Sequence, residues 1–354
     1  MLDVLRGLAL FGVLLVNLLG AFRISLFEQI AGARVESGWL NPLIEQATAL
    51  LVEFKAFAIF SFLFGVGAAI QSERAAARGM AVRPFLVRRF AILFAFGLAH
   101  IVLIWNGDIL ALYGICGLLL VPLISVRNWL LCAIGVGLIV LPHVVPLPIP
   151  WPSMDAIRAQ GVEATRVYSE GGFAEIFLFR CREAWSFVMP LWLSSLTRTA
   201  GLMALGLAAW RARILREPER HRRFLLCVLV AGLGIALKMK LSEPLAAGYV
   251  AAILLWWKPV RMTGLAALGL SLSALGQMAL TNYLMQSVVL SFVFYGFGLG
   301  LFGKLDSVRG LAIVIVLYGA QMVFSTYWLK RFRFGPCEWL WRSLTYGQWQ
   351  PNSR

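Results

Sequence analysis

The chain has 354 residues, 60% of them hydrophobic and 14% charged, and its 32 lysines and arginines outweigh 17 acidic residues for a net charge of +15. That balance excludes a water-soluble globule, a disordered chain and a disulfide-stapled fold. It predicts an all-α polytopic membrane bundle, because helices satisfy every backbone amide within lipid.

In chain order, apolar runs of helical length lie near residues 4–22, 50–72, 90–106, 108–125, 128–145, 184–210, 224–240, 243–257, 263–301 and 309–329. Arg6 followed by the apolar run Gly7 to Phe22 imitates a signal peptide, but the run carries Asn17 and further spans follow, so it reads as the first permanent span. Arg74, Arg78, Arg83, Arg88 and Arg89 fill one short connection, and Arg211, Arg213, Arg216, Arg220, Arg222 and Arg223 fill another. Such loops are cytoplasmic by the positive-inside rule, which places the N-terminus inside and segments 23–49 and 146–183 outside. Lys258 and Arg261 then also return to the inside. The charges follow topology and the aromatics lie in or beside apolar runs, so membrane lipids are the expected partners and nucleic acid is not.

The run 263–301 is too long for one simple span. Crossing once, with a broken or re-entrant portion near Gly276, it gives about ten spans and keeps Lys330, Arg331, Arg333 and Arg342 inside; crossing twice, it gives eleven. The whole chain, 1–354, reads as a single integral membrane domain. Its 146–183 segment opens with Pro146, Pro148, Pro150 and Pro152 and is expected to form an outer loop with an interfacial helix; residues 330–354 form an amphipathic tail. The five cysteines are scattered without a CxxC pair, so neither a metal site nor a disulfide framework is expected.

An ionisable or amide side chain inside a span must pair or face a cavity, and each is a functional candidate. Counting about 1.5 Å per residue, Asn17 lies about 15 Å above Gly7 and His100 about 16 Å above Arg89, both near the middle of a core about 30 Å thick. Arg198 lies about 20 Å above Arg211, and Lys55 about 28 Å above Arg74, where snorkelling is its simpler role. His100 is the one deep histidine, suited either to general-base work or to an interhelical hydrogen bond. Asp108 follows the turn Trp105-Asn106-Gly107, where it either caps the next helix or orients His100; an axial separation of about 8–10 Å argues against direct contact. Arg198 suits an anionic group or an ion pair with Asp108. Gly296, Gly298, Gly300 and Gly303 suit close helix packing and not a phosphate loop.

The opening LDVLRGLALFGVLLVN, Leu2 to Asn17, resembles the YeiB family, known as domain of unknown function 418. Lys55 to Gly67 (KAFAIFSFLFGVG), His100 to Tyr113 (HIVLIWNGDILALY), Gln277 to Gln286 (QMALTNYLMQ) and Phe334 to Tyr346 (FGPCEWLWRSLTY) are similar to its other signatures, in the same order. The LDxLRG opening is also distantly similar to membrane-bound acyltransferases of envelope glycans and to the lysosomal heparan glucosaminide acetyltransferase. Where the glycan enzymes carry a histidine, ten residues after the motif's glycine, this chain has Asn17.

The resemblance implies an acyltransferase of the bacterial inner membrane, moving an acyl group from a CoA-like thioester to a hydroxyl or amine of a glycan, lipid or small molecule. His100 is the expected general base, oriented by Asp108, with Asn17 holding the reacting carbonyl. Arg198, Asn106, Lys55, Asn282 and Gln286 are the expected acceptor contacts, and Arg6 the contact to the donor phosphates. No bound cofactor is expected beyond the acyl-CoA-like donor. The alternatives are a transporter or flippase using the same polar residues, and a bundle in which each of them is an interhelical bond.

Overall fold

The computed structural model describes residues 1–32, 38–239, 242–261 and 266–354, and every regular element among them is helical. Helix α1 (Leu2–Asn17) continues through a π-helical turn, Leu18–Phe22, into the short α2 (Leu26–Ala31), whose first turn is capped by the Ser25 hydroxyl. Between α3 (Leu40–Leu51) and α4 (Lys55–Ala77), Phe54 takes a left-handed φ of 59° and bends the chain. Then come α5 (Val82–Leu103), α6 (Leu110–Leu120) with a 3-10 turn, α7 (Asn128–Val144), α8 (Met154–Glu170) and α9 (Phe173–Glu183). A second π-helical turn, Ala184–Val188, leads into α10 (Met189–Arg211), followed by α11 (Arg222–Met239) and α12 (Ser242–Arg261). The chain closes with α13 (Ala266–Gln277), α14 (Ala279–Phe294), α15 (Ser307–Arg331) and α16 (Pro336–Tyr346).

Stretches Leu2–Phe22, Leu40–Ala77, Val82–Leu103 and Ser307–Arg331 are long and apolar enough to cross a bilayer, and shorter apolar helices pack among them. The protein is a membrane protein. Its two arginine-rich connections lie at one end of the bundle, where Arg216 pairs with Glu73, the Trp210 indole donates to Glu73 over 3.1 Å, and Arg211 donates to the Val126 carbonyl over 3.0 Å. The tail reaches the same basic end, since the Trp341 indole donates to the Arg89 carbonyl over 2.9 Å. The side chains of Lys258 and Arg261 lie outside the described residues.

The break in the 263–301 run falls at Met278, two residues beyond Gly276. Helix α13 lies antiparallel to α1, with Leu272 against Gly7 and Gly276 against Asp3, so it approaches the basic end and α14 leaves it. Helix α15 returns from the far end, where Gly310 meets Leu18 and Leu19, to the Tyr318 hydroxyl bonded to the Gly7 carbonyl.

The 146–183 segment departs from the single interfacial helix expected. It forms two helices, divided at Gly171 and Gly172, that dock on the far end and bury Ile157, Ala164, Val167, Ile176 and Phe179. Ile157, Gly161, Ala164 and Tyr168 recur at helical spacing and form a stripe against α2, where Thr165 donates to Glu28 over 2.7 Å. The segment's high average polarity hides that stripe.

Candidate functional site

Helix α5 carries His100 inward, and the chain then doubles back. The N–H groups of Ile104 and Trp105 both donate to the His100 carbonyl, over 2.9 and 2.8 Å, and close the helix tightly. Trp105 is buried and stacks on Phe22 with ring centroids 4.5 Å apart, while the Ser291 hydroxyl ties the Ile104 carbonyl to α14. The loop therefore drops back along α5 and delivers Asp108 to His100.

Asp108 Oδ1 lies 2.9 Å from His100 Nδ1, and Asp108 Oδ2 accepts the Ala111 N–H over 2.7 Å. The axial count that argued against contact is corrected, because it assumed that the loop continues along the helix direction. Capping and orienting are not exclusive here; each carboxylate oxygen does one of them. An acceptor at Nδ1 holds that proton in place, so Nε2 presents its lone pair. Nε2 is buried without a hydrogen-bond partner among the described residues, in a fully covered ring flanked by Tyr283 at 5.3 Å and Trp105 at 6.3 Å between centroids.

A cavity of about 240 Å³ runs between the basic end and this dyad. Arg6, Gln71, Arg89, Gln277 and Glu338 supply its polar wall, Leu10, Leu63, Phe64, Phe90 and Leu93 its apolar wall, and Ile109, Tyr113 and Tyr283 the wall nearest the dyad. His100 itself is not a lining residue. Tyr283 stands between the imidazole and the cavity, with its hydroxyl buried beside the Ile109 backbone.

Of the other expected site residues, Arg6 lines the cavity and pairs with Asp3 over 2.7 Å. Asn17 is half-buried, does not line the cavity and makes no side-chain hydrogen bond among the described residues. Arg198 does not meet Asp108: its guanidinium faces α12, pairing with Glu243 over 3.0 Å beside the Phe54 ring. Lys55 does not snorkel; it is buried and donates to the Ala49 carbonyl over 3.0 Å across the α3–α4 bend. Asn106 donates to Glu183 over 2.6 Å in the far-end cap, away from the cavity wall.

Asn282 donates to Ser325 over 2.9 Å, Gln286 to Gln321 over 2.8 Å, and Gln321 to the Asn282 carbonyl over 2.9 Å. These amides tie α14 to α15, so their role in the structure is interhelical.

Residues missed by sequence reasoning include Tyr283, Arg89, Trp341 and Glu338. Tyr283 and Glu338 sit inside quoted signatures, yet an aromatic or acidic residue there carries no pattern beyond ordinary packing. Arg89 lies with its guanidinium 3.6 Å from the centre of the Trp341 ring. Glu338 accepts from the N–H groups of Leu280 and Thr281, over 2.6 and 3.0 Å, and from the Thr281 hydroxyl over 2.5 Å. It thus caps α14 from another helix, and Glu338→Ala is expected to cost about 1–3 kcal/mol by stranding those donors, read as a lower unfolding midpoint in detergent.

In the far-end cap, the Tyr168 hydroxyl and Asn106 both donate to Glu183, whose carboxyl burial pushes up to about 8. The folded cap therefore holds a proton that the unfolded chain releases above the ordinary carboxylate range. Its contribution is complete below about pH 4.5 and is lost as pH rises through about 8. Protection factors of the α8 and α9 amides, taken relative to the intrinsic exchange rate at each pH, are expected to be lower at pH 9 than at pH 6, and Glu183→Gln is expected to flatten the difference.

Residues 241–348 match the family described as protein of unknown function DUF418. The chain is 34% identical to the uncharacterized protein YxaH of Bacillus subtilis, over 99% of this chain and 94% of that protein. It is 29% identical to the uncharacterized protein YeiB of Escherichia coli, over 97% and 95% respectively. It is also 28% identical to an uncharacterized 39.9 kDa protein of Bacillus acidopullulyticus, over 98% and 93%. No solved structure matches the chain.

Proposed function

The chain belongs to the YeiB family of DUF418 proteins, and we propose that it is an acyltransferase of the bacterial inner membrane, with about ten spans and its basic end in the cytoplasm. The observation that carries this reading is the carboxylate-held imidazole, its unpartnered Nε2 buried one tyrosine away from a cavity with a basic wall. Such an imidazole is poised to accept a proton, and a low-dielectric setting strengthens the pair.

A cytoplasmic acyl thioester enters beside Arg6 and Arg89, which meet its phosphates, and its acyl end follows the apolar wall toward Tyr283. Movement of the Tyr283 ring opens the path to His100. The acceptor hydroxyl or amine approaches from the far side, and His100 Nε2 takes its proton as oxygen or nitrogen attacks the thioester carbonyl. Collapse of the tetrahedral intermediate breaks the C–S bond, and the imidazolium returns the proton to the departing thiolate. The products are the acylated acceptor and a free thiol. Asp108 stabilises the transient imidazolium. The Tyr283 hydroxyl, on the cavity wall, is the donor for the oxyanion, a role for which Asn17, outside that wall, lacks the position.

The test is purified protein in liposomes of bacterial lipid, given acyl-CoA labelled in the acyl group together with membrane glycan and lipid fractions. The expected result is time-dependent label in an acceptor with one free thiol released per acyl group. Label crossing the bilayer on an unaltered molecule would establish a transporter instead.

A further inference from the structure

We infer that the lateral cavity between α7 and α11 is a binding site for an anionic membrane lipid. This cavity, about 620 Å³, is separate from the one beside His100. Helix α4 divides them: Phe60, Leu63 and Phe64 face the first, while Ala58, Ile59 and Phe62 face the second.

The walls come from α4, α7, α10, α11 and α12 and are almost wholly apolar. The polar lining is confined to Asn128, whose amide donates to the Ala208 carbonyl over 3.1 Å while its Oδ1 is left without a partner among the described residues, to His143, and to Glu243, which pairs with Arg198 over 3.0 Å. A polar solute therefore finds little to bind, whereas a hydrocarbon chain loses nothing by entering.

The cavity opens sideways. Helix α7 packs on α10 and α11 packs on α12, and the gap between α7 and α11 is edged by Val136, Val140, Phe224 and Ile235, all exposed. At membrane depth the medium at such an opening is lipid. From Phe224 to Ile235 the α11 edge extends about 16 Å, close to half of a hydrocarbon core about 30 Å thick, so it matches the acyl chains of one leaflet.

Charge selects the headgroup. The lining residues Ala212, Ile214, Leu215 and Phe224 alternate with Arg211, Arg213, Arg216, Arg222 and Arg223, so the arginine-rich connection forms the rim at the basic end. The stretch 211–223 holds six arginines against Glu217 and Glu219. Arg222 and Arg223 are exposed beside Phe224, where a phosphate on a chain seated in the cavity falls within reach of guanidinium donors.

The test uses the full chain in mild detergent or nanodiscs, with phosphatidylglycerol and phosphatidylcholine of matched chains as probes. Native mass spectrometry is expected to show one retained phosphatidylglycerol, preferred about tenfold over phosphatidylcholine. Ala247→Trp, which sets a bulky ring on the cavity wall, is expected to lose most of the retention, and Arg222→Gln with Arg223→Gln to abolish the preference while leaving chain binding. Equal retention of both lipids by the parent protein overturns the proposal, as does full retention by a folded Ala247→Trp protein. Independently of any variant, phosphatidylglycerol with a photoreactive chain should label peptides 128–144 and 222–236; labelling confined to other helices also overturns it. This outcome does not depend on acyl transfer, because the two cavities have separate walls.

Discussion

Replacing His100 with alanine is expected to reduce acyl transfer by about a hundred- to ten-thousand-fold, the range over which a positioned general base acts. The decisive companion is Asp108→Asn. Its remaining oxygen can keep the bond from the Ala111 N–H that starts α6, while its amide nitrogen faces His100 Nδ1 as a donor. The imidazole then carries its proton on Nε2 and has no lone pair there, so the base is lost while the helix cap is kept. Asp108→Asn is thus expected to fall nearly as far as His100→Ala with an unchanged unfolding midpoint, and the double variant is expected to fall little further than either. A folded His100→Ala protein with full activity would remove His100 from the mechanism. Tyr283→Phe separates the remaining roles: loss of the oxyanion donor lowers kcat more than it raises KM.

A large loss of stability is expected at the contact of α4 with α10. A Cβ on Gly65 would sit 1.9 Å from the Met203 carbonyl oxygen, and one on Gly206 would sit 2.0 Å from the Phe62 carbonyl oxygen. The obstacle is backbone on both sides, which cannot rotate away, so Gly65→Ala forces the helices apart along their length. The expected cost is about 3 kcal/mol or more, above the ordinary overpacking range because no side chain yields. Gly319→Ala in α15 is the control: nothing lies within 4 Å of its added Cβ, and alanine gains helix propensity. Equal unfolding midpoints for Gly65→Ala and the parent in the same detergent would refute the close-contact argument.

Much of the candidate site was legible in one dimension. His100 stands out because the other two histidines, His143 and His221, do not lie deep in a span. Arg6 was legible from its place at the start of the first span, and it does line the cavity. The assignments that changed are those that needed a direction. Arg198 is deep by count, but whether it turns toward Asp108 or toward Glu243 depends on how α10 is rotated against α12. Asn282 and Gln286 resemble cavity residues by type, yet their helix presents them to Ser325 and Gln321 of α15.

The sequence by itself determined that the apolar runs are helical, that the chain lives in lipid, and that its basic residues collect in a few connections. Those properties follow from composition and from the fixed rise and period of a helix, which act locally. Only the tertiary structure decided that Asp108 reaches His100, that Glu338 caps α14 from a distant helix, and that Tyr283 closes the cavity. Each depends on the path of a connecting loop or the rotation of a helix about its axis. Packing against other helices sets those two quantities, and residue spacing along one helix carries no record of them.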